Sequence, residues 1–275
     1  MARLLSFLAG QDVQRVIAYA AAKGKRTFAA LIPEGPYGRV LEASFRLAVQ
    51  GSGGTVAALQ TFPADANGMI EPVKKIKAAI DQAGTGPTAV DALFMPAGQD
   101  TLPALAPLLP YSAIDTRTVK LLGTSDWDFA NIGREDSLSG GWYPAPDPKG
   151  WNEFAQRYSQ AYSVMPPRLA SVSYDAVSLV VSLSNNARGQ RFTDANLTRA
   201  SGFAGIDGLF RLRPDGKLER GLAVLEVQKF GAAIADPAPG AFPAGASQAA
   251  TAAAGGSGSG FSSYLPKLNF SSQSE

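Results

Sequence analysis

Between Thr27 and Thr124 short apolar runs alternate with stretches of helical spacing, and this alternation limits the fold more than any other feature. Phe28 to Ile32 stops at Pro33, Thr55 to Phe62 at Pro63, Val90 to Met95 at Pro96 and Val119 to Leu122 at Gly123. Between them Val40, Leu41, Phe45 and Ala48 repeat at helical spacing, as do Ile70, Val73, Ile76 and Ile80, and a short helix is expected over Asp100–Leu109. Runs this short, joined by helices through loops of a few residues, make a parallel sheet with helices on both faces. Such a sheet binds ligands in the crevice beyond the carboxyl ends of its strands. The loops at that edge carry Glu34, Tyr37 and Gly38 after the first strand, Gly98 and Gln99 after the third, and Asp126 and Trp127 after the fourth.

Ahead of this unit, Val13, Val16, Ile17 and Ala20 mark a helix over Asp12–Lys23, with Asp12 as cap and Gly24 as stop. After it the pattern changes. Leu138 to Asp147 reads as an extended crossing segment, followed by helices over Trp151–Tyr162 and about Ala170–Asn185. Gly208-Leu-Phe-Arg-Leu-Arg and Gly221-Leu-Ala-Val-Leu-Glu-Val-Gln read as strands joined through a turn at Pro214-Asp-Gly-Lys. Residues 236–275 are rich in Ala, Gly, Ser and Pro and are expected to be a disordered tail. Within it Phe261, Tyr264, Leu265 and Leu268 could dock weakly elsewhere.

Composition removes several functions. With 25 basic and 23 acidic residues the net charge is +2, which gives no electrostatic case for nucleic acid or an anionic membrane surface. The chain has no cysteine and no histidine, so disulfides, thiolate nucleophiles, Ser-His-Asp catalysis and most zinc or haem ligation are out. Carboxylate- or lysine-based chemistry survives that exclusion, but a non-enzymatic role without metal or cofactor is the expectation. No apolar run reaches 18 residues, so no transmembrane helix is expected. The N-terminal Leu4-to-Ala9 run is too short for a signal peptide and reads as the edge of a fold. Phosphate-loop and dinucleotide-loop glycine patterns are absent.

The edge-loop residues keep two readings each. Asp126 and Asp128, either side of Trp127, are cleft acids placed to meet an amine, or loop aspartates that cap and face solvent. Tyr37 is a ligand contact, with Gly38 letting the backbone approach the ligand, or an aromatic packed under its own loop. Asp175 reads as a helix cap, and Tyr174 beside it is a cleft candidate.

The ordered set strand–Pro36-Tyr37-Gly38–helix, Val90-Asp-Ala-Leu-Phe, Leu121-Leu-Gly-Thr, Tyr174-Asp-Ala-Val and Phe203-Ala-Gly-Ile-Asp-Gly-Leu-Phe resembles the type I periplasmic binding proteins of the branched-chain-amino-acid-receptor kind. It covers about Leu5 to Pro237. Within that fold, Phe28-Ala-Ala-Leu-Ile-Pro, Leu105-Ala-Pro-Leu-Leu-Pro-Tyr, Pro167-Arg-Leu-Ala-Ser and Arg220-Gly-Leu-Ala-Val-Leu-Glu-Val look most like the bacterial penicillin-binding-protein activators. The resemblance implies two lobes: residues 1–24 as a helix of an incomplete first lobe, 25–137 as the second lobe, 138–220 as the rest of the first, and 221–235 as a strand returning to the second. Helices Asp12–Lys23 and Trp151–Asn185 would then leave apolar faces exposed. It also implies about 100 further residues, one domain's worth, ahead of Met1, with a signal sequence and a lipid-attachment cysteine. The implied site is Tyr37, Gly98, Gln99, Asp126 as the acid receiving a ligand amine, and Tyr174. The implied role is periplasmic: regulation of a peptidoglycan synthase by contact, or, as the alternative, delivery of a small polar solute such as an amino acid to an ABC permease.

Overall fold

The computed structural model describes residues 3–242; the tail expected from 236 lies, from 243 onward, outside the described residues. Five strands, β1 (Thr27–Pro33), β2 (Thr55–Phe62), β3 (Ala92–Phe94), β4 (Lys120–Leu122) and β5 (Trp142–Ala145), run parallel. β9 (Ala223–Gln228) pairs antiparallel with β5, and β10 (Gly231–Asp236) antiparallel with β9. The sheet order is β10-β9-β5-β4-β3-β1-β2. In β1 successive side chains go to opposite faces, as a pleated strand requires. Phe28, Ala30 and Ile32 face helices α1 (Ala9–Ala22) and α2 (Pro36–Gly51), while Ala29 and Leu31 face α3 (Ile70–Ala83). Burial on both sides explains why the run is apolar without alternation.

Beyond this sheet the chain builds a smaller one, with order β6 (Phe203–Gly205), β7 (Gly208–Leu212), β8 (Leu218–Arg220), all antiparallel. Helices α6 (Pro148–Tyr162), α7 (Ala170–Ser184) and the short α8 (Asp194–Leu197) belong to the same segment of chain. Its core is Leu179, Leu183, Phe203, Phe210, Leu212 and Leu218, with Leu5 and Leu8 packed against it. Among the described residues no helix is long and apolar enough to cross a membrane.

Several expectations change here. The α1 face of Val13, Val16, Ile17 and Ala20 is fully buried on the large sheet beside α2, so α1 belongs with that sheet and not with the smaller one, and its face is not exposed. The extended crossing segment contains β5, an interior strand of the large sheet. The strand expected from Gly221 forms as β9 from Ala223, but it is not the return strand of the hairpin. β8 completes the small hairpin, Gly221 and Leu222 cross over, and β9 joins the large sheet. The tail does not begin at Asp236, which ends β10 and pairs with Arg15 at 2.5 Å. The helix expected over Asp100–Leu109 forms only as α4 (Leu102–Leu105) and α5 (Leu108–Tyr111), because Pro107 removes a donor at the join. The α7 face, in contrast, is open: Tyr174, Val177, Val180 and Val181 are 47–63 % exposed.

Candidate functional site

Three neighbouring strands, β4, β3 and β1, end side by side, and their loops meet at one place. The β4 loop is anchored by Trp127. Its ring lies over Gly123, where a Cβ would come within 2.2 Å of it, and its Nε1 donates to the Met95 carbonyl oxygen at the end of β3 (3.0 Å). Trp127 is wholly buried, so it is a peg that locks two loops together and not a ligand contact, which corrects its assignment from sequence. The 3-10 turn Ser125–Trp127 carries Asp126, which is exposed. The Tyr37 hydroxyl, from the first turn of α2, donates to Asp126 Oδ2 at 2.8 Å, and Thr124 Oγ1 donates to the same oxygen at 3.1 Å. A Cβ on Gly98 would stand 3.6 Å from that of Asp126, so the β3 loop closes the third side.

Tyr37, Gly98 and Asp126 are therefore brought together. Glu34 and Gln99 are exposed in the same two loops. Gly38 has a different task from the one expected: a Cβ there would fall 1.7 Å from the Pro33 carbonyl oxygen, so it is the helix–strand approach that requires glycine. Tyr174 packs edge-on to Phe154 at 5.3 Å and lines an apolar groove between α6 and α7 with Tyr158 and Tyr162; its contacts are in that groove and not with the Tyr37–Asp126 pair.

Sequence reasoning missed Asp12. It lies inside the first turn of α1 and does not cap it. Its Oδ2 accepts from the Ser125 backbone N–H at 2.9 Å and from Ser125 Oγ at 2.5 Å. Burial pushes its carboxyl up to about 6, the Ser125 bonds oppose the rise, and the charge of Asp126 adds to it. Burial and the charge of Asp126 also push the Tyr37 hydroxyl up, so it stays a donor.

A second polar cluster faces Asp128. Arg168 Nη2 lies 2.7 Å from Asp207 Oδ1, Ser171 Oγ donates to Asp207 Oδ2 at 2.6 Å, and the Arg168 guanidinium stacks on Trp151 at 4.6 Å. Enclosure pushes the Asp128 carboxyl up although the residue stays exposed, while Arg168 and the Tyr143 hydroxyl hold it down. Asp175 is not a cap either. It is buried within α7, accepts from the Ile206 N–H at 2.7 Å, and faces Arg220 at 3.8 Å. No residue-spacing signal connects these partners, which lie 31 to 113 positions apart.

Chemically the Tyr37–Asp126 pair offers a carboxylate already oriented by two hydroxyl donors, suited to receiving a cationic N–H. Among the described residues no group of three or more Asp, Glu, His or Cys side chains is placed to hold a metal.

Residues 4–232 match the family model described as periplasmic binding protein. No curated protein matches the chain. Among solved structures it is similar to a putative branched-chain amino acid ABC transporter protein of Rhodospirillum rubrum, at 16% identity and TM-score 0.66, covering 82% of this chain and 65% of that one. It is also similar to an ABC transporter substrate-binding protein of Desulfitobacterium hafniense in complex with Leu (16%, TM-score 0.59, 82% and 65%). A third similar structure is an ABC transporter solute binding protein of Rhodopseudomonas palustris in complex with 3,4-dihydroxy benzoic acid (17%, TM-score 0.56, 86% and 68%). The chain thus spans about two thirds of the length of each, and at these identities the likeness is one of fold. By its family match over residues 4–232, the chain belongs to the periplasmic binding protein family, and its mainly parallel, helix-flanked sheet is the fold of the solved structures it is similar to.

Proposed function

We propose that the protein is a periplasmic, non-enzymatic solute-binding protein serving an ABC permease, and that its ligand is a small polar molecule bearing an ammonium group. The observation that carries this is the Tyr37–Asp126 pair at the carboxyl edge of β1, β3 and β4, a built acceptor open to solvent. Asp126 receives the ammonium, and Tyr37 and Thr124 orient it. The two sheets act as the two lobes, joined where the chain crosses near Leu8, Pro146 and Gly221, and close about those crossings on the ligand.

Thermal unfolding with L-leucine, L-lysine and benzoate tests this. A bound ligand raises the midpoint according to RT ln(1 + [L]/Kd), about 2.7 kcal/mol at a hundred times Kd. A rise with an amino acid and none with benzoate is expected; a rise with benzoate alone, or none at all, overturns the ammonium assignment.

A second reading, regulation of a peptidoglycan synthase in the manner of the penicillin-binding-protein activators, is favoured by the sequence runs at Phe28–Pro33 and Leu105–Tyr111 and by the open α7 face, which suits a protein partner. Loss of synthase stimulation on deleting the protein supports it; unchanged stimulation sinks it.

A further inference from the structure

The carboxylate of Asp12 has no role in folding that a neutral residue could not fill. It sits at 5 % exposure, and the groups acting on it are the two Ser125 donors and a second carboxylate, Asp126, with no cation among them. The charged and titratable groups facing it are Asp126 from the β4 loop and Tyr37 from the β1 loop. On α1 itself Arg15 is turned away, to the Leu222 carbonyl and Asp236. A buried carboxylate with hydrogen-bond donors but no cation beside it remains costly.

The geometry here has a direct consequence. Asp12 takes both the backbone and the side-chain donor of Ser125, the residue immediately before Asp126. The turn is held at its other end by Trp127 on Met95. Asp126 is thus suspended between two anchors, the Trp127 indole N–H on Met95 and the Asp12 carboxylate on Ser125. We infer that Asp12 is a positioning residue for ligand capture: its carboxylate sets the Ser125–Trp127 turn so that Asp126 meets the ligand's ammonium, and capture weakens when that charge is lost. This rests on the ammonium-ligand reading above.

The test uses the whole chain, with L-leucine as probe and titration calorimetry from pH 8 to pH 5, a window in which leucine's own groups do not titrate. Wild type should lose affinity on the order of tenfold as Asp12 takes up its proton near pH 6. Asp12→Asn should bind about tenfold more weakly at pH 8 and show a flat profile, and Ser125→Ala should weaken binding less. An Asp12→Asn protein with wild-type affinity and wild-type pH profile overturns the inference. A second measurement is independent of any ligand: the Ser125 amide resonance should shift with a midpoint near 6 in wild type and stay still in Asp12→Asn. If neither leucine nor lysine binds wild type, the ammonium reading fails while the amide titration still decides the anchor. A Ser125 amide that does not move in wild type sinks the positioning role whatever binds.

Discussion

Asp12→Asn should stabilise the protein at alkaline pH while impairing its site. The folded carboxyl titrates at about 6 against an ordinary 3.8, a rise of about two units, and each unit is worth about 1.4 kcal/mol. The sign follows from the direction of the shift. A raised folded-state value means the native protein holds the proton more tightly than the unfolded chain. The associated stability is complete below about 3.8 and is lost as pH rises through about 6. At pH 8 the ionised Asp12 therefore costs the wild type about 3 kcal/mol relative to its protonated form. Asparagine keeps an oxygen to accept from Ser125 and carries no charge, but its amide donors lose water, at about 1 kcal/mol. The net expectation is a variant more stable by about 2 kcal/mol at pH 8, with the difference falling as pH drops and reversing to about 1 kcal/mol less stable once Asp12 is protonated, below about pH 4. Urea unfolding at unit pH intervals measures it, with the slope against denaturant unchanged. A variant less stable than wild type at pH 8, or a difference that does not change with pH, would refute the reasoning. A stabilising substitution that weakens the site is the pattern expected where function holds a costly group in place.

Gly38→Ala should destabilise by about 3 kcal/mol or more, since its Cβ would overlap the Pro33 carbonyl and neither backbone segment can yield cheaply; denaturant melts measure it. Trp127→Phe should cost about 2–3 kcal/mol through the lost bond to Met95 and the space left over Gly123. Arg168→Ala leaves Asp207, itself fully buried, with Arg220 at 4.0 Å as its remaining cation, and should cost about 3 kcal/mol, read from the same melts. The open face of α7 should drive concentration-dependent self-association in sedimentation, relieved by Val177→Lys with Val181→Glu; a monomer at all concentrations counts against it.

The sheet, its parallel direction and the three loops at its carboxyl edge were legible because apolar runs ended by proline or glycine are local signals. The periodicity of α1 was legible too, but not what it packs on: Val13, Val16 and Ile17 define a face without naming a partner. The same limit explains Trp127, an aromatic in a loop of site residues whose burial is decided by the absence of a side chain at Gly123. Tyr37 and Asp126 could be proposed separately and not as a pair, since 89 positions separate them. Asp12 and Asp175 both looked like caps because aspartate near a helix start usually is one. Each instead spends its oxygens on a distant loop, which only tertiary packing reveals.

The interior strand β5 has a further consequence, for synthesis. It pairs with β4 on one side and with β9 on the other, yet Ala145 precedes Ala223 by the whole of the smaller sheet and its helices. At ~5–20 residues per second the ribosome takes several seconds to deliver the missing neighbour. During that interval Trp142, Tyr143 and Ala145 present an unpaired apolar edge, the kind of surface that templates strand addition from another chain. Pro144 in its middle has no N–H and so offers a weaker template than its neighbours. The nascent chain is thus most exposed to misassembly while α6 to β8 are being made.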